Sequence, residues 1–111
     1  MDTERIQNET SAKIAGLNDA FRKANPAMYT LTEGVFRTPE TLGVIEEVRK
    51  FDDFNEDNDP YGEHDFGSFD WWTGDKIFWK IDYCDDTLQN WRDPLDPECR
   101  RVLTIMLAEE Y

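Results

Sequence analysis

The stretch Lys76-Ile77-Phe78-Trp79-Lys80-Ile81-Asp82-Tyr83 is the clearest strand in the chain, dense in aromatic and β-branched residues and free of glycine and proline. The segment before it, Asp65-Phe66-Gly67-Ser68-Phe69-Asp70-Trp71, also alternates, with Phe66 and Ser68 on one face and Phe69 and Trp71 on the other. Trp72-Thr73-Gly74-Asp75 supplies a turn, so the pair reads as a β-hairpin. A hairpin alone is marginal in water and needs a third partner. The candidate is Val102-Leu103-Thr104-Ile105-Met106-Leu107-Ala108. Asp96-Pro97 ahead of it suits a helix start, whereas its Val, Thr and Ile suit a strand; both stay open for residues 100–110, and the hairpin's requirement favours the strand.

Upstream, residues 3–24 read as an amphipathic helix with Ile6, Ile14, Leu17 and Phe21 on its apolar stripe, ended by Asn25-Pro26. Tyr29 to Phe36 reads as a short strand. A second helix is expected from Thr38 as N-cap and Pro39 at the first helical position, with Leu42, Ile45, Val48 and Phe51 as its stripe. The residues from Asp52 to Glu63 and from Asp85 to Pro97 are turn chemistry without periodicity. The whole predicts an α+β fold, a small antiparallel sheet packed against two helices, in one acidic domain over residues 1–111.

The 111 residues are 39% apolar and 14% aromatic, too rich in core-forming side chains for a disordered acidic tail. Twenty-five acidic against 12 basic residues leave a net charge of −13, which steers the chain toward cationic partners. Direct binding to nucleic acid or to an anionic membrane surface is disfavoured for the same reason. No apolar run reaches the ~20 residues of a membrane span. The polar opening Met1-Asp2-Thr3-Glu4-Arg5 lacks the apolar region of an export signal, so a cytoplasmic location is expected. Cys84 and Cys99 fit no zinc or redox spacing and are expected as free thiols.

The charge is uneven. Residues 1–50 hold eight acidic and seven basic side chains, whereas 51–75 hold nine acidic ones and no lysine or arginine. Residues 76–98 add six more acids against three bases. The plain reading is a solvated surface. Two details favour more: the acidic loop is interleaved with Phe51, Phe54, Tyr61, Phe66 and Phe69, which should hold it in place, and thirteen charges match the phosphates along roughly 22 Å of duplex. A folded acidic surface can thus imitate a short duplex. Asp52, Asp53, Glu56, Asp57, Asp59, Glu63, Asp85, Asp86, Asp93 and Asp96 would supply the charge, and Trp91, beside Arg92 in a polar loop, an exposed aromatic anchor.

Other chemistry finds less support. Asp53-x-Asn55-x-Asp57 begins like a calcium loop, but Asn58 and His64 stand where glycine and glutamate belong. His64 is the sole histidine, and no nucleophile signature accompanies it. One histidine and two distant cysteines make no zinc set, and carboxylate pairs discriminate nothing among so many acids. No cofactor, metal or catalytic residue is expected. Trp71, Trp72 and Trp79 read as core or hairpin packing.

Leu17-Asn18-Asp19-Ala20-Phe21-Arg22, Phe51-Asp52-Asp53-Phe54 and Asp57-Asn58-Asp59-Pro60-x-Gly62-Glu63-His64-Asp65-Phe66-Gly67 resemble an uncharacterised bacterial family, domain of unknown function 3768. The strand at 77–83 and the closing Arg101 to Tyr111 resemble its other blocks. The resemblance implies no enzyme activity. It implies a cargo protein of plasmids, phages and other mobile elements, a setting in which small acidic proteins often inhibit host defence as anti-CRISPR or anti-restriction proteins. The leading expectation is therefore a non-enzymatic inhibitor whose partner is a basic nucleic-acid-binding protein, such as a CRISPR surveillance complex. The rivals are a small metal-dependent or enzymatic domain centred on Glu63-His64-Asp65 with Asp57 and Asp59, and a plain acidic adaptor.

Overall fold

A computed structural model describes residues 3–111, with side chains from residue 6 onward. The reading of Met1 to Arg5 falls outside the described side chains. Helix α1 spans Thr3–Ala24. It ends where the proline forces it to: Asn25 N–H still donates to Phe21 O, but Pro26 has no N–H to continue, and a single 3₁₀ turn follows at Pro26–Met28.

Three strands form the body of the sheet: β2 (Phe66–Asp70), β3 (Lys76–Cys84) and β4 (Arg100–Leu107); of the open stretch 100–110, residues 100–107 are strand and Ala108–Glu110 form a 3₁₀ turn. The hairpin pairs Phe66 with Lys80 through to Asp70 with Lys76, and β4 lies antiparallel on the other side of β3, with Trp79 opposite Ile105. The sheet is mixed rather than wholly antiparallel. A two-residue strand β1 (Thr30–Leu31) runs parallel to β4 at its far edge, giving the order β1-β4-β3-β2.

The expected strand from Tyr29 to Phe36 is thus mostly wrong. After Leu31 the chain turns into a one-turn helix α2 (Glu33–Phe36), which drops Val35 into the core with no exposed surface. Glu110 makes the turn possible, accepting from Thr32 Oγ1 at 2.6 Å and Gly34 N at 3.1 Å. Helix α3 (Thr41–Lys50) starts two residues later than a Thr38 cap predicts, with Glu40 in the cap position. Thr38 Oγ1 donates instead to Gly34 O, and Glu40 takes the left-handed region at φ 60° to enter the helix. The stripe shifts accordingly: Val44 and Val48 are buried, while Leu42 is 81% exposed.

All three helices cover one face of the sheet. Ile77, Trp79, Ile81, Leu103 and Ile105 from that face meet Val35, Val44, Val48 and Phe51. Burying each such side chain stabilises the fold by about 1.5–3 kcal/mol. Gly67 passes directly beneath Trp79, where a Cβ would clash with Trp79 Nε1 and lie 2.7 Å from Phe51 Cε1. Helix α1 docks less conventionally. Ile6 and Leu17 of its predicted stripe are nearly half exposed, and its most buried positions are Asn18 and Arg22. The Arg22 guanidinium donates from Nη1 to Val48 O and Arg49 O, each at 2.9 Å, at the C-terminus of α3. It also pairs with Asp19 at 3.0 Å and lies over the rings of Trp79 and Phe54.

Two substitutions test this packing. Arg22→Met leaves the α3 carbonyls without their donor and should cost about 3 kcal/mol in urea-unfolding stability. Gly67→Ala should cost about 1–3 kcal/mol by forcing Trp79 and Phe51 apart.

Candidate functional site

The two polar loops meet at one end of the sheet. The segment 51–65 enters β2 at Phe66, opposite Lys80, and the segment 85–99 joins the C-terminal end of β3 to the start of β4. Asp70 and Asp75, which belong to the same acidic run in sequence, flank the hairpin turn at the opposite end. The concentration of charge is therefore tighter in space, and shorter in sequence, than residues 51–75 imply.

Three side chains on the covered face fasten both loops. Asn18 is fully buried and donates from Nδ2 to Glu63 O and to Tyr83 Oη, both at 2.9 Å. Tyr83 donates onward to Glu63 Oε1 at 3.0 Å. Arg101 donates from Nε to Asn18 Oδ1 at 2.6 Å and from Nη2 to Pro94 O at 2.9 Å, its guanidinium over the Tyr83 ring. One knot thus ties residue 63 of the first loop and residue 94 of the second to α1, β3 and β4. Burial pushes the Tyr83 phenol well above its usual range, which keeps it protonated and able to donate.

The first loop is also stitched internally. Asn55 Oδ1 accepts from Asp57 N and Asn58 N, Asn58 Nδ2 donates to Asp53 O, and Asp59 Oδ1 accepts from Glu63 N and His64 N. His64 adopts φ 57°, stacks on Phe54 at 3.9 Å, and sets Nδ1 3.0 Å from both oxygens of Asp19. Asp19 in turn pairs with Arg22, so the loop is bound to the core through a chain of polar contacts. Of the aromatics expected to hold the loop, Phe51 and Phe54 do so by edge contacts with Trp79, whereas Tyr61 is 79% exposed.

The ten acids proposed from sequence separate into two groups. Asp52, Asp53, Glu56, Asp57, Asp86 and Asp93 are exposed. Asp59 is buried and Glu63 half-buried, both used in holding the loop. Asp85 closes a turn with Thr87 and Asn90, whose hydrogen bonds drive its carboxyl far below the ordinary range. Asp96 accepts from the Glu98 backbone and from Arg92, which also lower it. Trp91 is 71% exposed, with its backbone bridged to Cys84. Tyr61 and Glu98 are exposed in the same loops and escaped the sequence reading, Tyr61 because aromatics among turn residues suggest anchors. Both cysteines are free.

Among the described residues, no three His, Cys, Asp or Glu side chains are grouped to hold a metal ion, and no helix is long and apolar enough to cross a membrane. His64 and Asp59 are committed to the loop's own structure, and Asp57 is exposed.

Residues 18–110 match the model of a protein family described as a protein of unknown function, DUF3768, and the chain belongs to that family. The matched span contains both loops and all three residues of the knot. No curated protein and no solved structure matches the chain.

Asp65 gives the site a pH signature. Burial first, then the negative charges of Glu63, Asp59 and Asp82, push its carboxyl up from 3.8 to about 6. The folded chain holds this proton over a range where the unfolded chain has lost it, so the contribution of Asp65 to stability falls as pH rises from about 4 to 6. Asp65→Asn should therefore stabilise the protein at pH 7 by about 1 kcal/mol, the value after discounting for partial solvent screening. The gain, read from paired thermal melts, should disappear near pH 4.

Proposed function

We propose that this chain is a non-enzymatic inhibitor of a nucleic-acid-binding host defence complex, of the anti-CRISPR kind, acting as a DNA mimic through its acidic loops. The observation that carries the reading is the shared fastening of both loops by Asn18, Tyr83 and Arg101. A groove that grips phosphates recognises charges at set positions. Carboxylates on a loose segment would lose conformational entropy on binding, whereas carboxylates on a stitched loop have already been ordered by folding. Asp52, Asp53, Glu56, Asp57, Asp86 and Asp93 would face the partner, with Trp91 as an aromatic contact beside them.

The partner is then a basic protein rather than nucleic acid itself. Binding should weaken steeply with salt, because each carboxylate replaces a phosphate in a contact that screening erodes. The enzymatic rival requires His64 to be available to a substrate, and the hydrogen bonds of its Nδ1 and its stacking on Phe54 weigh against that.

Affinity capture from host lysate at low and high salt, with a matched variant, tests the proposal. The immobilised protein should retain a nuclease or CRISPR effector at low salt only. A variant carrying Asp52→Asn, Asp53→Asn, Glu56→Gln and Asp57→Asn should fold normally and lose at least about tenfold in affinity and in inhibition. Full binding and inhibition by that variant would remove acidic mimicry as the mechanism.

A further inference from the structure

A second surface lies along the free half of β4, beside the second acidic loop. Strand β1 pairs only with Thr104 and Ile105. Ile105 O accepts from Thr32 N on that edge, while Ile81 N, on the far side of β3, donates to Asp65 O. With Ile81 opposite Leu103 in the ladder, the alternation of an antiparallel pair turns the N–H and C=O of Arg101 outward toward the β1 edge. No strand of the described chain pairs there.

The vacant strand position is a groove of about 700 Å³. Ala20, Phe21 and Ala24 of α1 form one wall, Met28 and Leu88 close its ends, and Arg100 stands at its rim. Phe21 offers an apolar floor, and the two alanines leave room for the side chains of a guest. Met28 and Leu88 are both more than half exposed, as unfilled walls would be. No acidic side chain lines the groove, in a chain with 25 of them. Arg100 is exposed and has no ion-pair partner among the described residues; it borders Asp86 and Glu98 on its other side, but the charged side chains lining the groove itself are both arginines.

We infer that this groove receives an extended peptide segment of a partner protein, added to β4 as a strand in line with β1. Main-chain hydrogen bonds to Arg101 hold it, apolar side chains enter beneath α1, and an acidic side chain meets Arg100. A strand laid between a free sheet edge and a helix gains affinity from the backbone and selectivity from alternate side chains. The free edge covers only residues 100–103, so the guest is short and its affinity modest. This site is independent of the inhibitor reading, and its ligand has the opposite charge preference.

The test is a ¹⁵N chemical-shift titration of the full chain with two blocked hexapeptides, one alternating valine with glutamate and one alternating valine with lysine. The glutamate peptide should shift the amides of Arg100, Arg101 and Val102, slow hydrogen exchange at Arg101, and bind at least about tenfold more tightly there than the lysine peptide. Arg100→Glu should reverse that order. Ala24→Trp, on an exposed helix position, should fill the groove and abolish binding while leaving the melting temperature in place. Lysine-peptide shifts confined to residues 52–57 count as no binding in the groove. Absence of shifts at 100–102 up to millimolar peptide, or equal binding of both peptides there, overturns the inference.

Discussion

A single buried guanidinium organises the molecule. Arg22 closes the C-terminus of α3, where unpaired carbonyls and the negative end of the helix dipole favour a cation. It also lies against Trp79 at the centre of the sheet and, through Asp19 and His64, reaches the acidic loop. Desolvating a charge is expensive unless its donors are met. Here two backbone carbonyls and a carboxylate meet most of them, and aromatic faces surround the rest; Nε alone has no acceptor. One side chain therefore adds polar ties between a helix, the sheet and a long loop that also share the apolar core around Trp79.

That arrangement explains why the balanced half and the acidic half of the chain do not separate. The nine acids between 51 and 75 face no lysine or arginine in their own segment. Asp70 pairs with the nearby Lys76, but the loop's cations come from far away in sequence: Arg22 through the Asp19–His64 link, and Arg101 through Asn18. Repulsion within the loop is tolerated because its backbone is tied to neutral donors and acceptors, chiefly Asn55, Asn58 and Asn18. The outer carboxylates can then be left in water, where screening keeps their mutual repulsion small.

The sheet was legible where local pattern and burial agree. Ile77, Trp79 and Ile81 alternate and are buried, and the hairpin follows from them and Gly74. The helix ends were less legible, because Thr38 and Pro39 form a sound capping pair whose hydroxyl is diverted to Gly34. Strand β1 failed for a related reason: Val35 and Phe36 have strand chemistry, but Glu110, seventy-odd residues on, selects a helical turn. At the site, the acids were visible and their division into exposed and structural ones was not. Nothing near Asp59 or Glu63 in sequence announces that their partners are backbone amides across a turn and a tyrosine on β3. Asn18 and Arg22 look like solvent-facing positions of an amphipathic helix, and only their tertiary partners show otherwise.

The position of β4 has a consequence for how the chain acquires its structure. It is last of the strands in sequence yet interior in the sheet, between β3 and β1. Until Arg100 to Leu107 arrive, the hairpin presents an unsatisfied inner edge containing Ile77, Trp79 and Ile81, and β1 has nothing to join. The ladder between β3 and β4 also spans a fifteen-residue excursion, Asp85 to Cys99, whose ends must close first. Nascent chains are thus held in an adhesive state until β4 has emerged, and a strongly negative charge keeps such intermediates apart from one another.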